Sequence, residues 1–209
     1  MRSDVDRAKQ RARQYWYDDG LSEIAAGAIL LAIGVLSLVE AMVPQGSLVE
    51  SLSAIGIVVL VAGGIWLANW AVREAKSRIT YPRTGFVRYR RRARTPQKRL
   101  LVAAIAFALS VLVSFILNFT APASLAWIPA IQGWLIGAFI LYMAYMLALV
   151  RFYLLAMLSF VLGPFVALAG LGDTPGNGVY FTGMGFAVLL SGTITLIRYL
   201  RSTQLPEGE

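Results

Sequence analysis

Long apolar runs separated by short polar segments dominate this chain and predict an all-α integral membrane protein. Apolar runs of about twenty residues cover 21–43, 52–72, 100–119 and 179–200, and each is long enough for a helix to cross the hydrocarbon core of a bilayer. A further 47 residues, 125–171, are almost continuously apolar. As one helix they would measure about 70 Å, more than twice the hydrocarbon core. This run therefore predicts two spans that turn at Arg151, which makes six transmembrane helices in total.

Polar links set the predicted organisation of the chain. The links 44–50 (PQGSLVE), 120–124 (TAPAS) and 172–178 (GDTPGNG) are short and contain proline, glycine or both, which is typical of loops. The predicted parts are an amphipathic N-terminal segment, helices one and two, a basic loop, helices three to six, and a C-terminal tail: 1–20, 21–72, 73–99, 100–200 and 201–209.

The segment that precedes the first span mixes charged and apolar residues. Residues 1–17 place apolar side chains every three to four positions, which fits either a short interfacial helix or a solvated basic arm. Asp18, Asp19 and Gly20 then end this segment. Adjacent acidic residues at a helix start favour simple capping, although a bound cation is the alternative. Glu23 follows in the first turn of the next helix, where basic residues are within reach as partners.

All 19 lysines and arginines fall in segments that six spans bring to one side of the membrane. By the positive-inside rule that side is the cytoplasm, so both termini are predicted to be cytoplasmic, in a plasma or inner membrane. Eleven of the nineteen lie in the loop 73–99: Arg73, Lys76, Arg78, Arg83, Arg88, Arg90, Arg91, Arg92, Arg94, Lys98 and Arg99.

Composition narrows the chemistry that this chain can perform. Of its 209 residues, 58% are hydrophobic and 14% charged, with no cysteine and no histidine. Disulfides, thiolate metal sites, cysteine nucleophiles and histidine proton shuttles are therefore excluded. The chain has no GxSxG, HExxH, P-loop or dinucleotide-binding glycine pattern. We expect a non-enzymatic protein with no catalytic residues, no cofactor and no metal.

Small and polar residues inside the spans are candidates for helix contacts or for a polar path. The pairs Gly27/Gly34, Gly56/Gly63 and Gly133/Gly137 let helices approach closely, within the bundle or in a dimer, and we favour the bundle. The possible intramembrane polar site consists of Glu40, Gln132 and Thr193. A hydrated cavity lined by Glu40, Gln132 or Thr193 would favour a small oligomeric transporter or channel component.

The basic loop is the sequence's main candidate for recognition. Its runs ITYPR and FVRYR are β-prone and are joined by Thr84-Gly85, which predicts a small hairpin. Each basic residue near an anionic leaflet contributes about 1 kcal/mol, whereas nucleic acid is unlikely because no recognition module is present. The predicted residues that bind anionic headgroups or a protein partner are Arg78, Tyr81, Arg83, Gly85, Arg88, Arg90, Arg91 and Arg92.

The stretch ITYPRTGFVRYR, which follows a two-helix unit opened by YWYDDGLSEIAAG, resembles a pattern in small bacterial polytopic membrane proteins. Those proteins carry a similar YPR-x-G-(F/Y)-V element in a cytoplasmic loop. The resemblance covers about 25 residues and implies no particular reaction. It implies that Tyr81, Pro82, Arg83 and Gly85 do more than supply charge. The sequence thus favours a scaffold, binding or accessory subunit, alone or in a homo-oligomer or larger membrane complex, whose loop engages anionic lipid or a protein partner.

Overall fold

The computed structural model describes residues 17–44, 46–80 and 127–203, and these form five long helices with no β-strand among them. All five are long and apolar enough, by length and composition, to cross a membrane, and the all-helical prediction is confirmed for the described residues. A π-helical turn, Lys76–Thr80, extends the second helix. The helices are α1 (Leu21–Met42), α2 (Leu48–Ala75), α3 (Ile128–Leu147), α4 (Val150–Leu168) and α5 (Asp173–Ser202).

Every Lys and Arg in the described part of the chain lies at one end of the bundle, named here the basic end. This end is formed by the starts of α1 and α4 and by the ends of α2, α3 and α5. At the far end, Pro129 at the start of α3 approaches Gly176 at the start of α5. The six cations at the basic end are Arg73, Lys76, Arg78, Arg151, Arg198 and Arg201.

Several predicted boundaries were wrong by a few residues. Helix α5 begins at Asp173, so most of the predicted loop 172–178 is helical. Helix α2 begins at Leu48 and continues through the π-helical turn to Thr80, so the first eight residues of the predicted loop 73–99 are helical as well. The first two residues of the predicted hairpin, Ile79 and Thr80, belong to this turn, and the rest of the hairpin lies outside the described residues.

Among the described helices, α1 and α5 form the closest contact. A Cβ atom added at Gly27 would lie 2.4 Å from the backbone nitrogen of Leu189, and one added at Gly34 would lie 2.3 Å from that of Thr182. Only glycine permits such a close approach of two backbones. The contact uses glycines spaced seven apart along both antiparallel segments: Gly20 just before α1, Gly27 and Gly34 on α1, and Gly178, Gly185 and Gly192 on α5.

A second close contact joins α3 to α4. A Cβ at Gly133 would lie 2.7 Å from the Cα of Gly163, and one at Gly137 would lie 3.0 Å from the Phe160 ring. The bundle-packing interpretation of the Gly27/Gly34 and Gly133/Gly137 pairs is therefore confirmed. On α2, by contrast, a Cβ added at Gly63 would have no described atom within 4 Å, so that glycine packs against no other described helix.

Where α3, α4 and α5 meet, a buried hydroxyl pair crosses between helices. The Ser159 hydroxyl donates to the Gly133 carbonyl oxygen at 2.8 Å and lies 2.8 Å from the Tyr180 hydroxyl. Since a serine hydroxyl has one proton, Tyr180 must donate to Ser159. Both side chains are fully buried, and they lie beside the apolar core of the bundle: Ala144, Leu147, Phe152, Leu155, Met184 and Val188.

Candidate functional site at the basic end

A buried ion pair joins the start of α1 to the π-helical turn after α2. The Lys76 ammonium lies 2.5 Å from Oδ2 of Asp19, and the two side chains are 2% and 0% exposed. The Thr80 hydroxyl donates to the same carboxylate oxygen at 3.0 Å. Oδ1 of Asp19 accepts the backbone N–H of Leu21 at 3.2 Å, although the N-cap residue of α1 is Gly20 and no side chain caps the helix there. The cation that this carboxylate holds is a lysine from the same chain.

The turn that carries Asp19 depends on Gly20. Its φ of 71° lies in the left-handed region, which glycine adopts without strain. Its carbonyl oxygen accepts the N–H groups of Glu23 and Ile24 at 3.1 and 3.0 Å. A Cβ here would also lie 2.3 Å from the Gly192 carbonyl oxygen, so both the conformation and the packing require glycine.

A second ion pair, deeper in the same end, joins α1 to α4 and α5. Arg151 Nε lies 2.8 Å from Oε1 of Glu23, whose side chain is 3% exposed. The N–H does not point along this contact, so it is an ion pair rather than an in-line hydrogen bond. The Ser191 hydroxyl donates to Oε2 of Glu23 at 3.0 Å, while Nη2 of Arg151 donates to the Tyr17 carbonyl oxygen. The residue Tyr17 before α1, α1 itself, α4 and α5 thus meet at the Glu23 carboxylate and the Arg151 guanidinium.

Tyr17 is part of the folded bundle. Its half-buried ring packs edge-on against Phe152, with ring centroids 5.9 Å apart. Burial raises the pKa of the Tyr17 hydroxyl, and the negative charge of Glu23 adds to this effect. Its neighbours Tyr15 and Trp16 are outside the described residues.

Asp18 has a different environment from its neighbour Asp19. Its side chain is exposed, yet partial desolvation beside the helix ends raises the pKa of its carboxyl group. The charge of Asp19 acts in the same direction, whereas Arg151 and Lys76 oppose it. Asp18 is therefore a carboxylate at the rim of the bundle whose charge is only partly compensated.

These two ion pairs were only partly visible in the sequence. From the sequence alone, Lys76 is one of eleven basic residues in the predicted loop and Arg151 marks a turn between two spans. A basic partner was predicted for Glu23. The positive-inside pattern already places Asp19, Glu23, Lys76 and Arg151 on the same side of the membrane, where acids and bases are candidate pairs. The Asp19–Lys76 pair could not be predicted from local sequence, because the two residues lie 57 positions apart.

Of the residues predicted to bind lipid or a partner, the structure places one. Arg78 is 77% exposed and forms an ion pair with Glu74 at 2.7 Å, one helical turn away. Outside the described residues lie Tyr81, Arg83, Gly85, Arg88, Arg90, Arg91 and Arg92.

The three residues of the predicted intramembrane polar site lie at two different ends of the bundle. Glu40 and Gln132 are near the far end, in the last turn of α1 and the first turns of α3. Thr193 is next to Gly192, which contacts the start of α1, so it lies about 25 Å from Glu40 along the bundle axis. The Thr193 hydroxyl donates to the Leu189 carbonyl oxygen of its own helix at 2.8 Å. The described structure therefore does not bring these three residues together.

Two grooves reach the basic end from the sides of the bundle. One, of about 540 Å³, lies among all five helices and is largely apolar, with Ser22, Glu23 and Asn69 among its lining residues. The other, of about 750 Å³, lies between α4 and α5 and has Asp18, Arg151 and Arg198 along its lining. None of Glu40, Gln132 and Thr193 lines either groove.

The fold and the paired charges at the basic end define a multi-pass helical membrane protein, and comparison with known proteins goes no further. No protein-family model, no curated protein and no solved structure matches this chain.

Proposed function

We propose that this protein is a membrane-embedded binding or scaffold subunit that holds its basic segment 73–99 against the anionic cytoplasmic leaflet. The observation that carries the proposal is the buried Asp19–Lys76 pair, reinforced by Thr80. It fastens the first residues of the basic segment to the start of α1. Because the start of segment 73–99 is held in place, its cations stay near the membrane surface. Each of them contributes about 1 kcal/mol to the attraction for anionic lipid there.

The orientation and the number of spans belong to the same proposal. All described cations are at the basic end, and the described links 43–44, 46–47 and 169–172 at the far end contain neither Lys nor Arg, which supports a cytoplasmic basic end and cytoplasmic termini. Thr80 is at the basic end and Trp127 at the far end. A connection from one end to the other supports a sixth span at about 100–119, as the apolar sequence predicts.

Retention of lipid by the purified full chain tests the proposal. We expect wild-type protein to retain anionic phospholipid over phosphatidylcholine through detergent purification. The double variant Arg83→Ala/Arg88→Ala should lose roughly tenfold or more of this preference, because two cations near the leaflet contribute about 2 kcal/mol together. Arg201→Ala is the matched control, since it removes an exposed cation at the same end of the bundle but outside the loop.

A protein partner is the other outcome that the same preparations reveal. If lipid retention is unchanged and a copurifying protein disappears from the double variant, the loop is a docking segment for that protein. If lipids and proteins are both unchanged, the loop recognises neither and the proposal is wrong. The alternative of a small oligomeric transporter or channel component lacks a shared cavity for Glu40, Gln132 and Thr193 among the described residues.

A further inference from the structure

The groove between α4 and α5 has the shape and chemistry of a lipid site. Its walls are leucine and isoleucine side chains that face outward from the bundle, with exposed fractions of 63% for Leu154, 47% for Leu190 and 42% for Ile194. Its volume of about 750 Å³ lies within the range of pockets that bind small ligands. An apolar channel along two membrane helices suits an acyl chain.

The rim of this groove at the basic end carries charges of both signs. Arg198 is exposed, and no carboxylate in the described ranges lies within ion-pair distance of it. Arg151 uses Nε and Nη2 for Glu23 and Tyr17, which leaves Nη1 for a ligand. Asp18 supplies an exposed carboxylate on the same lining. The hydroxyl-bearing residues of the rim are Ser191, Thr195, Tyr199 and Ser202.

These charges do not favour a purely anionic headgroup. Glu23 neutralises Arg151, and Asp18 would repel a second negative charge, so the rim carries roughly balanced charges. A headgroup that contains both a phosphate and a primary ammonium matches the rim better. The phosphate can accept charge-assisted hydrogen bonds from Arg198 and Arg151, and the ammonium can donate to Asp18.

We propose that the α4–α5 groove binds one aminophospholipid, with an acyl chain along Leu154 and Leu190, its phosphate at Arg198 and its ammonium at Asp18. This site is separate from the basic loop and does not depend on the function proposed for it. Phosphatidylethanolamine fits these requirements. Phosphatidylcholine has the same phosphate but a quaternary ammonium that cannot donate a hydrogen bond, so it is the natural comparison.

Native mass spectrometry of the full chain, loaded with equal amounts of phosphatidylethanolamine, phosphatidylcholine and phosphatidylglycerol of identical acyl chains, tests this site. We expect one phosphatidylethanolamine to be retained in the groove at roughly tenfold preference over phosphatidylcholine, as one charge-assisted hydrogen bond provides. Arg198→Gln should lower retention of all three lipids, whereas Asp18→Asn should abolish only the preference for the ethanolamine headgroup. Arg201→Gln is the matched control, because Arg201 is exposed at the same end but does not line the groove.

Filling the groove provides an independent variant that leaves the charges intact. Leu158→Trp and Leu190→Trp place a large side chain at exposed positions, 39% and 47% exposed, so folding should persist while lipid retention falls. Equal retention of the three lipids by the loop variant Arg83→Ala/Arg88→Ala, or a preference of that variant for phosphatidylglycerol, would overturn the proposal. Retained selectivity in Asp18→Asn would overturn it as well. The loop variant Arg83→Ala/Arg88→Ala should leave this preference unchanged, which separates the two proposals.

Discussion

Lys76 and Asp19 form an ion pair that is closed to water on every side, with exposed fractions of 2% and 0%. Asp19 lies just before α1 and Lys76 immediately follows α2, so the contact joins the start of one helix to the end of the next and closes the α1–α2 hairpin at its open end. An isolated lysine in such a place would lose its hydration without compensation. Asp19 and Thr80 supply that compensation, and the rest of the basic end is arranged around the pair.

Removal of one partner of this pair should destabilise the bundle strongly. Lys76→Met leaves the Asp19 carboxylate buried without its counter-charge, which costs about 3–5 kcal/mol. We expect a large fall in the apparent Tm in detergent, measured from the helical circular dichroism signal. Arg78→Met is the matched control, because the exposed Arg78–Glu74 pair contributes at most about 0.5 kcal/mol. Equal effects of the two variants would contradict the role assigned to Asp19.

The α1–α5 seam should not tolerate even one added methyl group. Gly27→Ala would place its Cβ at 2.4 Å from the Leu189 nitrogen, so the helices must separate and lose contacts along their length. Gly63→Ala meets open space and should be neutral or stabilising by up to about 1 kcal/mol through helix propensity. Apparent Tm values of the two variants check this. A Gly27→Ala protein as stable as Gly63→Ala would show that the seam is looser than described.

The buried Ser159–Tyr180 hydrogen bond should show energetic coupling. Ser159→Ala leaves the Tyr180 hydroxyl buried without its acceptor and should cost about 1–2 kcal/mol. In the double variant Ser159→Ala/Tyr180→Phe no orphaned hydroxyl remains, so its loss of stability should be smaller than the sum of the single losses. Thr193→Val, which removes a hydrogen bond within one helix, is the control. Strictly additive losses would argue that the two hydroxyls do not interact.

Asp18 should make the stability of the protein depend on pH in a defined direction. Its pKa is raised in the folded state by desolvation, so the folded state binds this proton more readily than the unfolded state. The resulting penalty is present above the raised pKa and disappears below the ordinary value of about 3.9. In lipid-free detergent, Asp18→Asn should therefore raise the apparent Tm slightly at pH 7 and have no effect near pH 3.5. A variant less stable than wild type at pH 7 would mean that attraction to Arg151 outweighs desolvation.

Hydrophobicity alone predicted most of the described fold. The start of α1 at Leu21 and the turn beside Arg151 follow from run length and a single charge. The start of α5 did not, because Thr174, Pro175 and Gly176 are typical of a loop. Contact with Pro129 of another helix accompanies the helical conformation of this stretch, and a local pattern does not contain such tertiary information.

The charged contacts were the harder part to predict from sequence. The sequence predicts a capping role for Asp19 and counts Lys76 among many basic residues, whereas the N-cap of α1 is Gly20 and Lys76 is buried against Asp19. Their pairing depends on which helices become neighbours, which follows from the glycine seam and from the α1–α2 connection rather than from either residue's surroundings in the sequence. Glu23 was easier, because an acid in the first turn of a span requires a partner.

The glycine seam also has a consequence for biosynthesis. Helix α1 is synthesised before the other described helices, and its closest partner, α5, after them. Gly34 and the residues around Gly185 are separated by roughly 150 residues, which at 5–20 residues per second takes about 8–30 s to synthesise. During this interval the flat glycine face of α1 has only lipid, or an insertion chaperone, against it. Release of a truncated chain before α5 emerges would leave that face permanently uncovered and should mark the product for degradation.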